Sequence, residues 1–392
     1  MSDTTRGRFL ISTWDGGGNV PPAMALGARL RRRGHEVRVI SSRSLAGVAA
    51  GAGLDFTPLR RVPEWPDGLP LDDDWPRLNR LLFGRDAALD IADELRAHPV
   101  DVLVADCMSG ATMAAGAATG TPMAILVHML YTPFAFDWGA GMMDFDTSRR
   151  ALGLDALPPA PLGDQLAALG RVLCATPPGL DASRGELPQD TFYVGPVLPP
   201  EPPGTPWSPR TDAPLVLVSF STTLMHQRES LQPILDALAA LPIEGVLTLG
   251  GALPVDEITA PPNFTVREYV PHAAILPHAS VVVSHAGLTS ITAALAHGVP
   301  LVCIPQGREQ PLNAERLAAA GAGIHVPGDA PATAVAETLT VVLEDPRYRT
   351  AAGEMAARSR ELGLGEEAAR LTEELLSRVS PTESAQRQVQ SV

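Results

Sequence analysis

Residues 281–310 read VVVSHAGLTSITAALAHGVPLVCIPQGREQ, and the order of residue types in that stretch decides the fold. Val281 to Ser284 is a short β-branched run, as expected of a buried strand. A turn of small residues follows, then a helical pattern from Ser290 to His297, a second apolar strand from Leu301 to Ile304 and a polar loop. Strand, tight turn, helix and strand make one unit of a parallel sheet. His285, Gly287, Thr289 and Ser290 stand where the first strand gives way to the helix. Backbone N–H groups, hydroxyls and the positive helix end therefore converge on one point, a geometry suited to a diphosphate.

The same alternation runs outward in both directions. Arg8 to Thr13 reads as a strand, Asp15-Gly16-Gly17-Gly18 as a turn, and a helix opens at Pro21 and Pro22, where the missing N–H costs nothing. Further strands are expected at Val37–Ile40, Val100–Asp106 and Met123–His128, with a helix at Gly110–Thr119. Val62–Trp75 reads as loop, and the apolar residues from Phe134 to Phe145 show no helical period. Leu198 to Pro214 is crowded with proline, the composition of a semi-rigid linker. Beyond it come a strand at Leu215–Phe220, a helix at Leu231–Leu241 and a strand at Gly245–Leu249. The expected organisation is an N-terminal domain over 1–200, a linker over 201–213, a C-terminal domain over 214–379 whose last helix packs back on the first domain, and a disordered tail over 380–392.

A chain of 392 residues has room for two cores. Its net charge of −14 argues against a phosphate-backbone partner, so no nucleic acid is expected. All 30 basic residues are arginine. Cys107, Cys174 and Cys303 fit neither a disulfide framework nor a metal spacing. With no signal-peptide pattern and no apolar run of about 18 residues, the expectation is a cytoplasmic protein without a membrane span.

The 281–310 segment resembles the donor signature of glycosyltransferase family 1, whose bacterial members carry a His-(Gly)-Gly-x-Gly/Thr-Ser/Thr turn followed by an Asp/Glu-Gln pair. The resemblance covers most of residues 8–375 and implies an α/β chain of GT-B type, two Rossmann-like doubly wound domains facing a central cleft. It also implies residue roles. His285, Gly287, Leu288, Thr289 and Ser290 would cradle the donor phosphates, Glu309 and Gln310 would hold sugar hydroxyls, Val270 would contact the nucleobase, and Ser221 and Thr222 would lie beside the phosphates. Ser284 and Ala286 are small departures from the pattern.

A larger departure is Asn19. Family members usually place there a histidine that removes the acceptor proton, oriented by an aspartate on a later strand. An amide can orient an acceptor hydroxyl but has no useful basicity. Asp106 matches the partner aspartate and is the first choice of base, on the expectation that an apolar loop raises its pKa. Asp137, Asp15 and His128 are reserves. Asn19, His128, Phe134 and Trp138 are expected to line the acceptor site, with Trp65, Trp75 and the Met129–Phe136 loop adding apolar surface.

Two acidic stretches, Asp72-Asp73-Asp74 and Asp144-Phe145-Asp146, spell a divalent-metal signature but follow no clear strand. No metal and no cofactor are expected, since a helix end and neutral donors can stabilise a leaving diphosphate. The resemblance thus implies an inverting, metal-independent hexosyltransferase. Its partners would be a UDP- or TDP-sugar as co-substrate and a hydrophobic natural product such as a polyketide, phenol or antibiotic, with a homodimer left open. The rivals are a catalytically silent GT-B auxiliary protein, a C-glycosyltransferase that needs no histidine, and a nucleotide-sugar epimerase.

Overall fold

The computed structural model describes residues 6–66, 69, 73–181, 186–199, 207–220, 228–250 and 253–378. Valine-, leucine- and isoleucine-rich runs become central strands buried on both faces, because helices cover each side of a parallel sheet. The first sheet is built from β1 (Arg8–Ser12), β2 (Glu36–Ser41), β3 (Asp55–Pro58), β4 (Val102–Asp106), β5 (Met123–Val127), β6 (Arg171–Cys174) and β7 (Thr191–Tyr193). They lie in the order β3-β2-β1-β4-β5-β6-β7, parallel throughout. The second contains β8 (Leu215–Ser219), β9 (Glu244–Thr248), β10 (Phe264–Arg267), β11 (Ala279–Ser284), β12 (Leu301–Cys303) and β13 (Gly323–His325), again all parallel, in the order β10-β9-β8-β11-β12-β13.

The chain divides into two compact units. One takes in Met1–Thr176, Ala182–Pro199 and Leu362–Val392, the other Pro177–Asp181 and Pro200–Glu361. In the first unit the helix Glu366–Glu373 inserts Ala368, Ala369 and Leu371 among Phe9, Val20, Ala23 and Val37, so a helix far along the chain completes a core begun by β1. Arg171 fastens the same segment to the sheet. It donates to Asp190 Oδ1 at 2.8 Å, to Leu371 O at 2.8 Å and to Glu374 Oε2 at 2.9 Å. Its side chain is only 8% exposed, so these partners replace the water it has lost.

Sequence and structure part company between Tyr131 and Ala151. Instead of an aperiodic loop there are a helical turn at Tyr131–Pro133, a π-helical segment at Phe134–Trp138, a 3-10 turn at Gly139–Gly141 and a helix at Phe145–Ala151. Changing pitch every few residues moves the apolar face around the axis, which removes the 3.6-residue signal. The two acidic stretches have local duties: Asp74 accepts from Arg77 N at the start of the helix Trp75–Phe83, and Asp144 accepts from Thr147 N at the start of Phe145–Ala151. The linker residues 201–206, the tail 380–392, Asp72, Ser221 and Thr222 lie outside the described residues.

Replacing Arg171 by Ala strands the Leu371 carbonyl in a buried setting and leaves Asp190 with Arg378, 2.8 Å from its Oδ2, as its remaining cation. The expected cost is about 3 kcal/mol of stability, read from denaturant melts. A loss below about 1 kcal/mol would show that this arginine contributes no more than a surface ion pair.

Candidate active and donor sites

In a parallel sheet the loops that follow the strands gather at one edge, and a crevice opens where the strand order reverses. In the first unit that reversal lies between β1 and β4. Thr13 follows β1, Asn19 sits at the start of the helix Val20–Arg32, Asp106 ends β4 and His128 directly follows β5. All four are brought together. Asp106 Oδ1 accepts from Met108 N at 2.9 Å and from His128 Nε2 at 3.2 Å, while Oδ2 accepts from Asn19 Nδ2 at 2.9 Å and Thr13 Oγ1 at 3.3 Å. The carboxylate is 2% exposed and its lone pairs are occupied.

This environment corrects the expectation that the Asp106 pKa is raised. Burial does push it upward, but the charge of His128 and the hydrogen bonds from His128, Met108 N and Asn19 outweigh burial and leave it below its ordinary value. For His128 burial opposes the charged form, yet Cys107 and Asp106 beside the ring outweigh it and hold the imidazole well above its ordinary 6.5. Asp106, His128 and Cys107 bring polar side-chain atoms within 4.8 Å of one another. Spacing along the chain did not reveal that cluster.

Asn19 is 2% exposed. Its Nδ2 lies 3.0 Å from Thr13 Oγ1 and 2.8 Å from Trp14 O as well as near Asp106, so the network fixes which way the amide points. Oδ1 is left buried without a hydrogen-bond partner in the protein. A Cβ at Gly16 would approach Oδ1 to 2.7 Å and the Trp14 ring to 2.5 Å, which explains the glycine there.

The other acceptor candidates separate. Phe134 is 0% exposed and belongs to the core, so it is withdrawn as an acceptor-lining residue. Trp138 is half-buried against it, with ring centroids 5.4 Å apart. Asp137 is exposed on the π-helical segment and takes no part in the hydrogen bonds around Asp106. Asp15, half-buried, borders a small hollow with Ser42, Trp65, Arg77 and Arg80.

In the second unit the order reverses between β8 and β11, and His285 follows β11. It is 8% exposed, stacked on Phe220 at 6.3 Å, with Nδ1 buried and unpartnered. Burial lowers its pKa to about 4, helped by Arg308 and His272 and opposed by the bond the ring makes to the Ser219 backbone, so the ring is uncharged at neutral pH. Gly287 is required: a Cβ there would lie 2.5 Å from His285 Nε2. Ala286 has φ of 67°, a left-handed conformation held by Asn313 Nδ2 donating to its carbonyl at 3.1 Å.

The helix Leu288–Ala296 begins at this turn, and Ile291 N finds an intrahelical acceptor in Gly287 O. The N–H groups before it point toward the turn. Thr289 and Ser290 are half-buried, whereas the Leu288 side chain is buried and offers only its backbone. Val270 is half-buried beside exposed Tyr269. Glu309 is half-buried at the start of the helix Gln310–Ala319. Gln310 is 3% exposed, and its Oε1 accepts from Gln306 N at 2.8 Å. That side chain braces the loop in this structure.

His272 was missed as a site residue. Its Nε2 lies 3.1 Å from Ser219 Oγ and 3.2 Å from Thr248 Oγ1, joining the ends of β8 and β9, and burial takes its pKa to about 4. The only sequence signal was its place after Tyr269-Val270-Pro271.

Residues 232–362 match the family described as erythromycin biosynthesis protein CIII-like, C-terminal domain. The chain is 30% identical to the L-demethylnoviosyl transferase of Streptomyces niveus, over 82% of this chain and 86% of that protein. The chain belongs to glycosyltransferase family 1. It is a glycosyltransferase. To the 4'-demethylrebeccamycin synthase of Lentzea aerocolonigenes this glycosyltransferase is 26% identical, over 89% of its own length and 94% of the relative's. The solved glycotransferase of kitacinnamycin superposes with a TM-score of 0.78 at 21% identity, covering 94% of this chain and 99% of that one. The glycosyltransferase VinC in complex with DTDP superposes with 0.71 at 20% identity, covering 95% and 100%. These likenesses establish the GT-B fold for the family-1 enzyme.

Two outcomes follow from the second-unit geometry. Gly287→Ala should displace the His285 ring and weaken TDP binding at least about tenfold in calorimetry, with little change in melting temperature. Because His272 and His285 both have folded pKa values of about 4, the unfolded chain takes up protons first as the pH falls below 6.5. The stability contributed by these two histidines is therefore fully present above pH 6.5 and is lost toward pH 4. His272→Gln should flatten that decline in melts recorded against pH.

Proposed function

We propose that this glycosyltransferase moves a hexose from a TDP- or UDP-sugar to a hydrophobic small molecule, binding the donor in the second unit and the acceptor in the first. The observation that carries the donor half is the turn His285 to Ser290: an uncharged, buried imidazole with an unpartnered nitrogen, a glycine that admits no Cβ, and a helix start supplying N–H groups. A diphosphate satisfies all three. That VinC was solved with DTDP favours thymine over uracil. The names of the relatives in antibiotic biosynthesis favour a natural-product acceptor. The half-buried Trp14, Trp65, Trp138 and Met142 of the first unit supply apolar surface for it.

The chemistry is a single displacement. An acceptor oxygen, nitrogen or carbon attacks the anomeric carbon as the bond to the diphosphate breaks, inverting the configuration. Leaving charge is met by the helix start and the imidazole, without a metal step. Glu309 would contact the sugar. Gln310 would act by holding the loop, given its bond to Gln306. No helix among the described residues is long and apolar enough to cross a membrane, so no such helix constrains where the acceptor is met.

Screening nucleotide sugars for thermal stabilisation tests the donor. A TDP-sugar at 100 times its Kd should add about 2.7 kcal/mol, and His285→Ala should weaken binding of TDP about 10- to 100-fold. Undiminished affinity in that variant would place the diphosphate elsewhere. Proton couplings at the anomeric centre of the product should report the configuration opposite to the donor's.

A further inference from the structure

The proposed reaction needs somewhere for the acceptor proton to go, and Asn19 cannot take it. Nor is Asp106 placed to do so: its two oxygens accept from Met108 N, His128 Nε2, Asn19 Nδ2 and Thr13 Oγ1, which occupies the carboxylate. What these bonds do is fix His128. A carboxylate only accepts, so the imidazole must carry its proton on Nε2, and in the uncharged ring the basic lone pair is then on Nδ1. The ring stands at the carboxyl end of β5, one strand from the reversal between β1 and β4, and is 12% exposed where Asp106 is 2%. It is the member of the cluster that solvent-borne molecules can touch.

We propose that His128 is the proton acceptor of the reaction and that Asp106 is the positioning residue that orients it. This rests on the sugar-transfer reading above. As the acceptor oxygen forms its bond to the anomeric carbon, its O–H bond breaks and the proton passes to His128 Nδ1. The electron pair of the breaking glycosidic bond leaves with the diphosphate, and the imidazolium later returns its proton to water. Asp106 stabilises that imidazolium without taking the proton itself, a base paired with an orienting acid.

The titratable groups acting on His128 are Asp106 and Cys107, both at the end of β4, while the neighbours contributed by the β1 side, Thr13 and Asn19, are neutral. Asp106 and Cys107 hold the ring in its charged form above its ordinary value. The uncharged, basic form therefore accumulates only as the pH rises through that raised value, so kcat/KM should climb with pH along a limb of unit slope. Asp106→Asn removes the anion, so the limb should move to lower pH while the plateau falls.

The experiment uses the whole chain, TDP-glucose as donor and two phenols as acceptor probes, 4-nitrophenol and 4-methoxyphenol, the first largely ionised and the second neutral at mildly alkaline pH. His128→Gln should lower transfer to 4-methoxyphenol at least about 100-fold and transfer to 4-nitrophenol far less, because an ionised oxygen needs no base. Imidazole added to His128→Ala should restore part of the rate with 4-methoxyphenol. In parallel, NMR titration should find the His128 ring pKa above 6.5 in the unaltered protein and lower in Asp106→Asn, a readout independent of turnover. Equal losses for both phenols, or a pH limb that survives in His128→Gln, would overturn the base assignment. A His128 pKa unmoved by Asp106→Asn would overturn the positioning role. Failure of the sugar-transfer reading looks different, since TDP would then neither bind His128→Gln nor protect the unaltered protein from heat.

Discussion

The constraint on which the rest depends is the directionality of a parallel strand. Every strand of such a sheet ends at the same edge, and successive connections must cross over one face or the other. Where the winding changes direction, the two flanking loops leave toward opposite faces and an opening is left between them. Both sheets of this enzyme reverse once, between β1 and β4 and between β8 and β11. At the first reversal the residues present are Thr13, Asn19 and Asp106, with His128 one strand away; at the second they are Ser219 and His285. Backbone topology thus places polar groups at those edges before any specific chemistry is chosen.

The polar groups at the two edges are treated differently by their surroundings. Around Asp106, low exposure is combined with four donors and a neighbouring imidazole, which favours separated charges. Around His285 and His272, low exposure acts without a nearby anion, and both rings are held uncharged. A neutral ring suits a helix start that already bears positive potential, because a second positive charge there would be repelled by the first. Burial therefore has opposite outcomes for the two kinds of histidine, decided by whether a carboxylate lies alongside.

How much of this could be read from the chain varies with local physics. The central strands were legible because helices cover both their faces and their side chains are almost all apolar. The outer strands β3, β6, β7, β10 and β13 were not singled out; they are short, and most of them carry exposed or half-exposed residues such as Asp55, Thr265 and His325. The turn that follows β11 was legible as a contiguous motif. The Asp106 environment was not, since Asn19, Thr13 and His128 reach it from 87, 93 and 22 positions away, and its pKa follows from those partners rather than from nearby apolar residues. Phe134 was misjudged for a related reason: composition suggests what a residue can bind, but only packing shows whether its surface is already covered.

The docking of Glu366–Glu373 onto the sheet that holds Arg8–Ser12 has a consequence for biogenesis. The first unit is discontinuous, with the whole second unit encoded between its body and the helix that seals its core. A nascent chain emerging from the ribosome must therefore carry an uncovered apolar strip around Phe9, Val20 and Ala23 until Glu366–Glu373 has appeared. The second unit can mature before that helix is made, but the half that bears Asp106 and His128 closes only after the second unit has been synthesised. Premature termination anywhere before Glu366 would accordingly release a chain with an open core rather than a shortened enzyme.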